Sequence, residues 1–144
     1  MARRQSAETN EAFLKRLKKW IGIERATIKM AQPLLDKAEN PILSCIIDTI
    51  KKDSEKHKLV LEMILEGMEG TVVLTHEDMG IMSEFIDKHS QIEKDAVDIA
   101  EQTLEAVRTP IAKFLLEYLL ADEKKHDLIM DNLAKLKGTA MLPT

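Results

Sequence analysis

The sequence predicts an all-α fold: a four-helix bundle made of two repeated helical hairpins joined by a crossover connection. Three observations carry this prediction. The 144 residues hold only 3% aromatics, five glycines and four prolines, while Leu, Ile, Ala, Glu, Lys and Met dominate, an inventory suited to helices. Apolar residues recur at alternating steps of three and four over four long segments. The chain also matches itself without a gap at an offset of 69 residues, which sets Asp53-Ser54-Glu55-Lys56-His57 on Asp122-Glu123-Lys124-Lys125-His126. The same offset lays Glu24 on Glu93, Ala31 on Ala100, Pro41 on Pro110 and Leu59 on Leu128.

The predicted elements follow in order within one domain, residues 1–144. Hairpin repeat 1 covers about 9–67, a crossover 68–78, hairpin repeat 2 about 79–138 and a tail 139–144. Residues 1–8 are polar and expected to fray. Thr9 or Asn10 can cap the first helix, whose inward row runs Leu17, Ile21, Glu24, Ile28, Ala31 and Leu35. Pro33 removes a backbone donor and should weaken that helix near its end. Asn40 then caps a second helix with Pro41 in its first position, where the missing amide costs nothing. Its inward row is Leu43, Ile47, Ile50, Ser54, His57, Leu61 and Ile64, fading at Gly67 to Gly70. Val72, Val73 and Leu74 favour an extended connection, in which His76 is a surface or capping residue. The third helix sets Met79, Met82, Ile86, His89, Glu93, Ala96, Ala100, Thr103 and Val107 inward and ends at Thr109-Pro110, the repeat of Asn40-Pro41. The fourth carries Ala112, Leu116, Leu119, Glu123, His126, Met130 and Leu133 and stops near Gly138. Met79, Met82 and Met130 read as adaptable core filler.

Charge and composition exclude several roles. A net charge of −4 gives no general case for nucleic acid, and Lys15-Arg16-Leu17-Lys18-Lys19 reads as the solvated face of a helix. No apolar run reaches the ~18 residues of a membrane span, and the basic N-terminus leads into no apolar signal segment. The single Cys45 cannot form an internal disulfide, which suits a cytoplasmic protein, and reads as a small buried apolar residue.

Glu24, Ser54, His57, His89, Glu93, Glu123 and His126 interrupt the inward rows. A buried lone carboxylate costs several kcal/mol unless it is paired, protonated or bound to a cation. The spacing gives these residues a common place. Glu24 lies 33 residues before His57, and Glu93 lies 33 before His126. In a hairpin turning at Pro41 or Pro110, both members of each pair sit about 25 Å from the turn at 1.5 Å per residue. Glu123 and His126 share one face of the fourth helix. Packed together, the hairpins would converge these groups on one interior point.

Glu24, Glu93 and Asp122-Glu123-x-x-His126, in this register, resemble the ferritin-like di-iron carboxylate bundles (ferritin- and rubrerythrin-like), where two helices give a Glu each and two give Glu-x-x-His. The resemblance covers all four helices. It implies metal ligands at Glu24, His57, Glu93, Glu123 and His126, with Glu24 and Glu93 as terminal carboxylates and Glu123 as a bridge. It implies one or two iron ions, with manganese or zinc as alternative occupants. Asp53 and Asp122, one turn before each imidazole, are candidates to accept its ring N–H, or else are solvated helix positions. His89, one turn before Glu93, is a candidate further ligand or a satisfied core histidine. Ser54 departs from the pattern, which asks there for a second bridging glutamate; Glu55 points about 100° away around the helix.

The function expected from this resemblance is a metal-binding protein handling iron with dioxygen or peroxide, of ferroxidase or peroxidase type, with no catalytic residue assigned beyond the ligands. Without a Cys-x-x-Cys pair no rubredoxin-type centre accompanies it. A homo-oligomer, in the first place a dimer, is the expected assembly. The alternative, favoured by Ser54, is a bundle without redox chemistry that serves as a binding or scaffolding module.

Overall fold

The computed structural model describes residues 2–68 and 74–140, with side chains described from Asn10 to Met68 and from Leu74 to Gly138. These residues form four α-helices and, among them, no strand: α1 (Ala2–Lys37), α2 (Pro41–Met68), α3 (His76–Ala106) and α4 (Pro110–Ala140). α1 packs on α2 and α3 on α4, giving two compact hairpin units, Met1–Val73 and Leu74–Thr144. The expected extended segment at Val72 and Val73, and residues 141–144 of the expected tail 139–144, lie outside the described residues.

The repeat extends to the turns. α1 ends at Lys37 and α3 at Ala106, α2 starts at Pro41 and α4 at Pro110, each pair 69 residues apart. Asn40 Oδ1 accepts from the amides of Ile42 at 2.9 Å and Leu43 at 3.3 Å, the cap expected of it. Thr109 does the same work in the second turn, its hydroxyl accepting from Ala112 N at 3.4 Å. The prolines follow these caps at the position where an amide has no partner to lose.

Three boundaries differ from expectation. α1 begins at Ala2 rather than near Thr9, because Ala2, Arg3, Arg4, Gln5 and Ala7 are strong helix formers and propagate the helix through the possible caps. It runs through Pro33 to Lys37, in keeping with an inward row that reaches Leu35, whereas α4 continues to Ala140 rather than stopping near Gly138. α3 begins at His76 rather than 79, so His76, Glu77 and Asp78 leave the predicted connection. Its cap is Thr75, not His76: the hydroxyl accepts from Asp78 N at 3.1 Å, and Asp78 Oδ2 accepts from Thr75 N at 2.9 Å. This reciprocal pair satisfies two donors of the opening turn.

Each hairpin buries a narrow seam. Leu17, Ile21 and Leu61 form one cluster with Leu65 against it, while Met82 and Met130 are buried in the other unit. Met82 and Met130 therefore are core while Met79 is half-buried, and Leu17 is the buried member of an otherwise exposed basic run. Leu43, Ile50, Ile64 and Leu119, expected inward, are exposed within their hairpins. Two helices can cover only one strip of each other, and the rest of a bundle-type apolar row stays uncovered. Cys45 is exposed, not buried. It lies nine residues before Ser54, which at 100° per residue puts it on the opposite side of α2.

The two lateral sides of the second hairpin differ. In the second unit Lys94 bridges to Asp127 at 2.9 Å and Asp131 at 3.7 Å, and Lys124 to Glu101 at 3.7 Å, so these residues fix one side as charged. Ile92 and Ile99 project about 100° from Glu93 in the opposite sense to Lys94, and His126 and Ile129 leave the seam in the opposite sense to Asp127 and Asp131. That second side is apolar and exposed.

Candidate metal centre

In the first hairpin the helix period brings Glu24 of α1 to Ser54 and His57 of α2. Glu24 and Ser54 are 7% and 5% exposed, so their polar atoms must be satisfied from within. They are. Trp20 Nε1, one turn earlier on α1, donates to Glu24 Oε1 at 3.0 Å, and His57 Nδ1 stands 3.4 Å from the same oxygen. Burial pushes the Glu24 carboxyl up, but hydrogen bonds from Ser54 and Trp20 together with His57 outweigh it, and the group ends below the usual glutamate range. The carboxylate thus sits ionised in a cage of donors.

The second hairpin has the same backbone plan with different contents. Glu93 of α3 meets Glu123 and His126 of α4, and one ligand-type atom from each lies within 4.8 Å of the others. His126 Nδ1 is 3.5 Å from Glu93 and 3.9 Å from Glu123. Glu93 Oε2 is buried and accepts no hydrogen bond. Burial raises the Glu123 carboxyl above the usual range, and the contact and charge of Glu93 and the charge of Asp122 push the same way, against the pull of His126. Two carboxyl groups forced together must share a proton or a cation.

The expected ligands therefore fall into two groups, Glu24 with His57 and Glu93 with Glu123 and His126, each inside its own hairpin. His89 is not in the second group. Its ring lies against Phe85 with centroids 4.4 Å apart, and its buried Nδ1 has no hydrogen-bond partner. Both imidazoles turn Nδ1 toward a glutamate across the hairpin, and among the described residues no hydrogen bond joins Asp53 to His57 or Asp122 to His126. The role of Trp20 was missed by sequence reasoning. Its signal was the step of four to Glu24, repeated by His89 and Glu93.

No protein-family model matches the chain, and neither the curated proteins nor the solved structures contain a match to it. The donor set itself bears on fit. Two carboxylates and an imidazole, one carboxylate oxygen buried without a hydrogen bond, are a donor set that suits a first-row divalent ion.

Proposed function

We propose that this chain binds a divalent transition metal through Glu93, Glu123 and His126, within a ferritin-like protein of iron and dioxygen or peroxide chemistry. The observation that carries the reading is the gathering of Glu93, Glu123 and His126, one ligand-type atom of each within 4.8 Å of the others. A cation supplies what the side chains lack, since it neutralises both carboxylates and accepts the imidazole lone pair. Bound iron would supply the electron transfer, and the protein's part would be ligand geometry, charge and access.

A second reading has its own observation. The Glu24 group is closed by Trp20, Ser54 and His57 and asks for no ion, as in a bundle that keeps the fold without redox chemistry. Metal analysis of protein purified without chelator separates the two. About one equivalent of iron, manganese or zinc per chain, lost in the double variant Glu123→Ala, His126→Ala, supports metal binding. Protein that takes up no metal and gains no thermal stability when ferrous ion is added without oxygen overturns it, because a ligand selective for the folded state must raise stability.

A further inference from the structure

We infer that a row of cations along α1 docks on the phosphate backbone of a nucleic-acid duplex, an activity separate from the metal group of the second hairpin. Lys15, Lys18, Gly22, Arg25 and Lys29 follow one another at alternating steps of three and four, so they form one line along the helix. All five are exposed, and among the described residues none of the four cations enters an ion pair. The fold does not require such a row. The offset of 69 sets Glu84, Asp87, Gln91, Lys94 and Asp98 on the same positions of α3. Three cations of the first row are thus acids in the second. The fourth, Arg25, has Lys58 at the place of Asp127, and Lys58 pairs within its own helix with Glu62 at 4.0 Å. One backbone plan therefore collects uncompensated positive charge in the first hairpin only, although the whole chain carries a net charge of −4.

The row keeps its access to solvent whatever body covers the first hairpin. It lies on the side of Arg25, the counterpart of Lys94, whereas Ile23 and Met30, the counterparts of Ile92 and Ile99, lie on the other side and are 54% and 62% exposed. Association gains by burying the apolar side, and lysine and arginine are almost never fully buried unless paired. Three features of the row select the partner. It is about 21 Å long at 1.5 Å per residue, the length of about six base-pair steps at 3.4 Å. It holds no aromatic residue, so it meets phosphates with charge and gives bases no platform to stack on. Gly22 stands at its centre, where an added Cβ would meet nothing within 4 Å. Packing inside the hairpin therefore does not call for a glycine, which weakens a helix interior. The missing side chain leaves a notch in the row that admits a narrow ridge of phosphates close to the helix, whereas a flat bilayer gains nothing from it.

The test is fluorescence anisotropy of a labelled duplex of mixed sequence titrated with the full chain, with a chelator present so that metal plays no part. Binding should appear at low salt and fall with a slope of about −3 to −4 in log K against log salt, as four phosphate contacts require. Lys15→Glu with Lys18→Asp and Lys29→Asp, the residues of the second repeat, should weaken binding at least about tenfold at unchanged helix content by circular dichroism. Lys52→Glu with Lys56→Glu and Lys113→Glu changes the net charge equally away from the row and should leave binding within about threefold, because distant exposed charges are screened. Gly22→Gln should raise thermal stability, glutamine being the better helix former, yet weaken duplex binding at least about threefold. No binding at low salt, the result if acidic residues already cover the row, would overturn the inference. So would equal losses in the two triple variants, binding indifferent to Gly22→Gln, or phosphatidylglycerol vesicles bound as tightly as the duplex.

Discussion

The two hairpins answer one problem, a mid-helix carboxylate turned into the seam, buried at Glu24 and half-buried at Glu93, in two ways. At Glu24 the neighbours are donors: an indole N–H one turn away, a serine hydroxyl and an imidazole across the hairpin. At Glu93 the same three places hold His89, which turns to Phe85, Glu123, which is a second acid, and His126. The first arrangement satisfies its charge internally. The second accumulates negative charge, and Glu93 Oε2 makes no hydrogen bond although His126 Nδ1 stands 3.5 Å away. An identical backbone repeat therefore carries a closed polar cage in one copy and an open demand for a cation in the other.

Ser54→Glu should break the difference most strongly. It sets a second carboxyl against Glu24 in a site where both positions are buried, and without metal it should destabilise the protein by about 3 kcal/mol or more, the order of an uncompensated buried charge. With manganese or zinc present the loss should reverse and metal content should rise by about one equivalent per chain. Denaturant unfolding with and without metal checks both. Destabilisation that metal does not relieve would mean that the first hairpin cannot take up the second hairpin's chemistry.

Trp20→Phe keeps the ring and removes the donor, so it tests how far the cage depends on the indole. A hydrogen bond to a charged group is worth about 1.5–3 kcal/mol, and the exposure of Trp20 lowers the expectation to about 1 kcal/mol. The counterpart His89→Phe should change metal-free stability less, because His89 Nδ1 makes no hydrogen bond. Equal losses at the two positions in thermal unfolding would remove the distinction.

Much of the fold was legible because turn chemistry repeats with the residues that carry it. Asn40-Pro41 and Thr109-Pro110 mark both turns, and a constant offset predicts which side chains meet across each hairpin. The apolar period could not distinguish the seam within a hairpin from the side left for another body, since both are apolar. Ile50 and Leu119 therefore entered the predicted core yet stand exposed within their own hairpins. Cys45 was misread because Ile42-Leu43-Ser44-Cys45-Ile46-Ile47 is nearly continuous in apolar character, and only the register of Ser54 shows which member faces out. The candidate site was legible in the pairs set 33 residues apart, whereas the gathering of ligands by hairpin depends on contacts that spacing does not rank.

The smallest expected effect is in the pH dependence of metal-free stability, where the hairpins should have opposite signs. Glu24 is held below its unfolded value, so its contribution is present above the ordinary glutamate value of about 4.5 and is lost as pH falls through the lowered folded value. Glu123 is raised, so the folded state holds its proton more tightly. Its contribution is present below about 4.5 and is lost as pH rises through the raised folded value. Glu24→Gln should therefore flatten the acid limb of the stability profile, and Glu123→Gln the decline on the side of rising pH. Saturating metal should abolish the second decline alone, since an ion in place of the shared proton removes the reason for Glu123 to hold it. A decline toward higher pH that survives both Glu123→Gln and metal would place its origin outside the Glu93–Glu123 contact, and the two hairpins would then differ in packing rather than in charge.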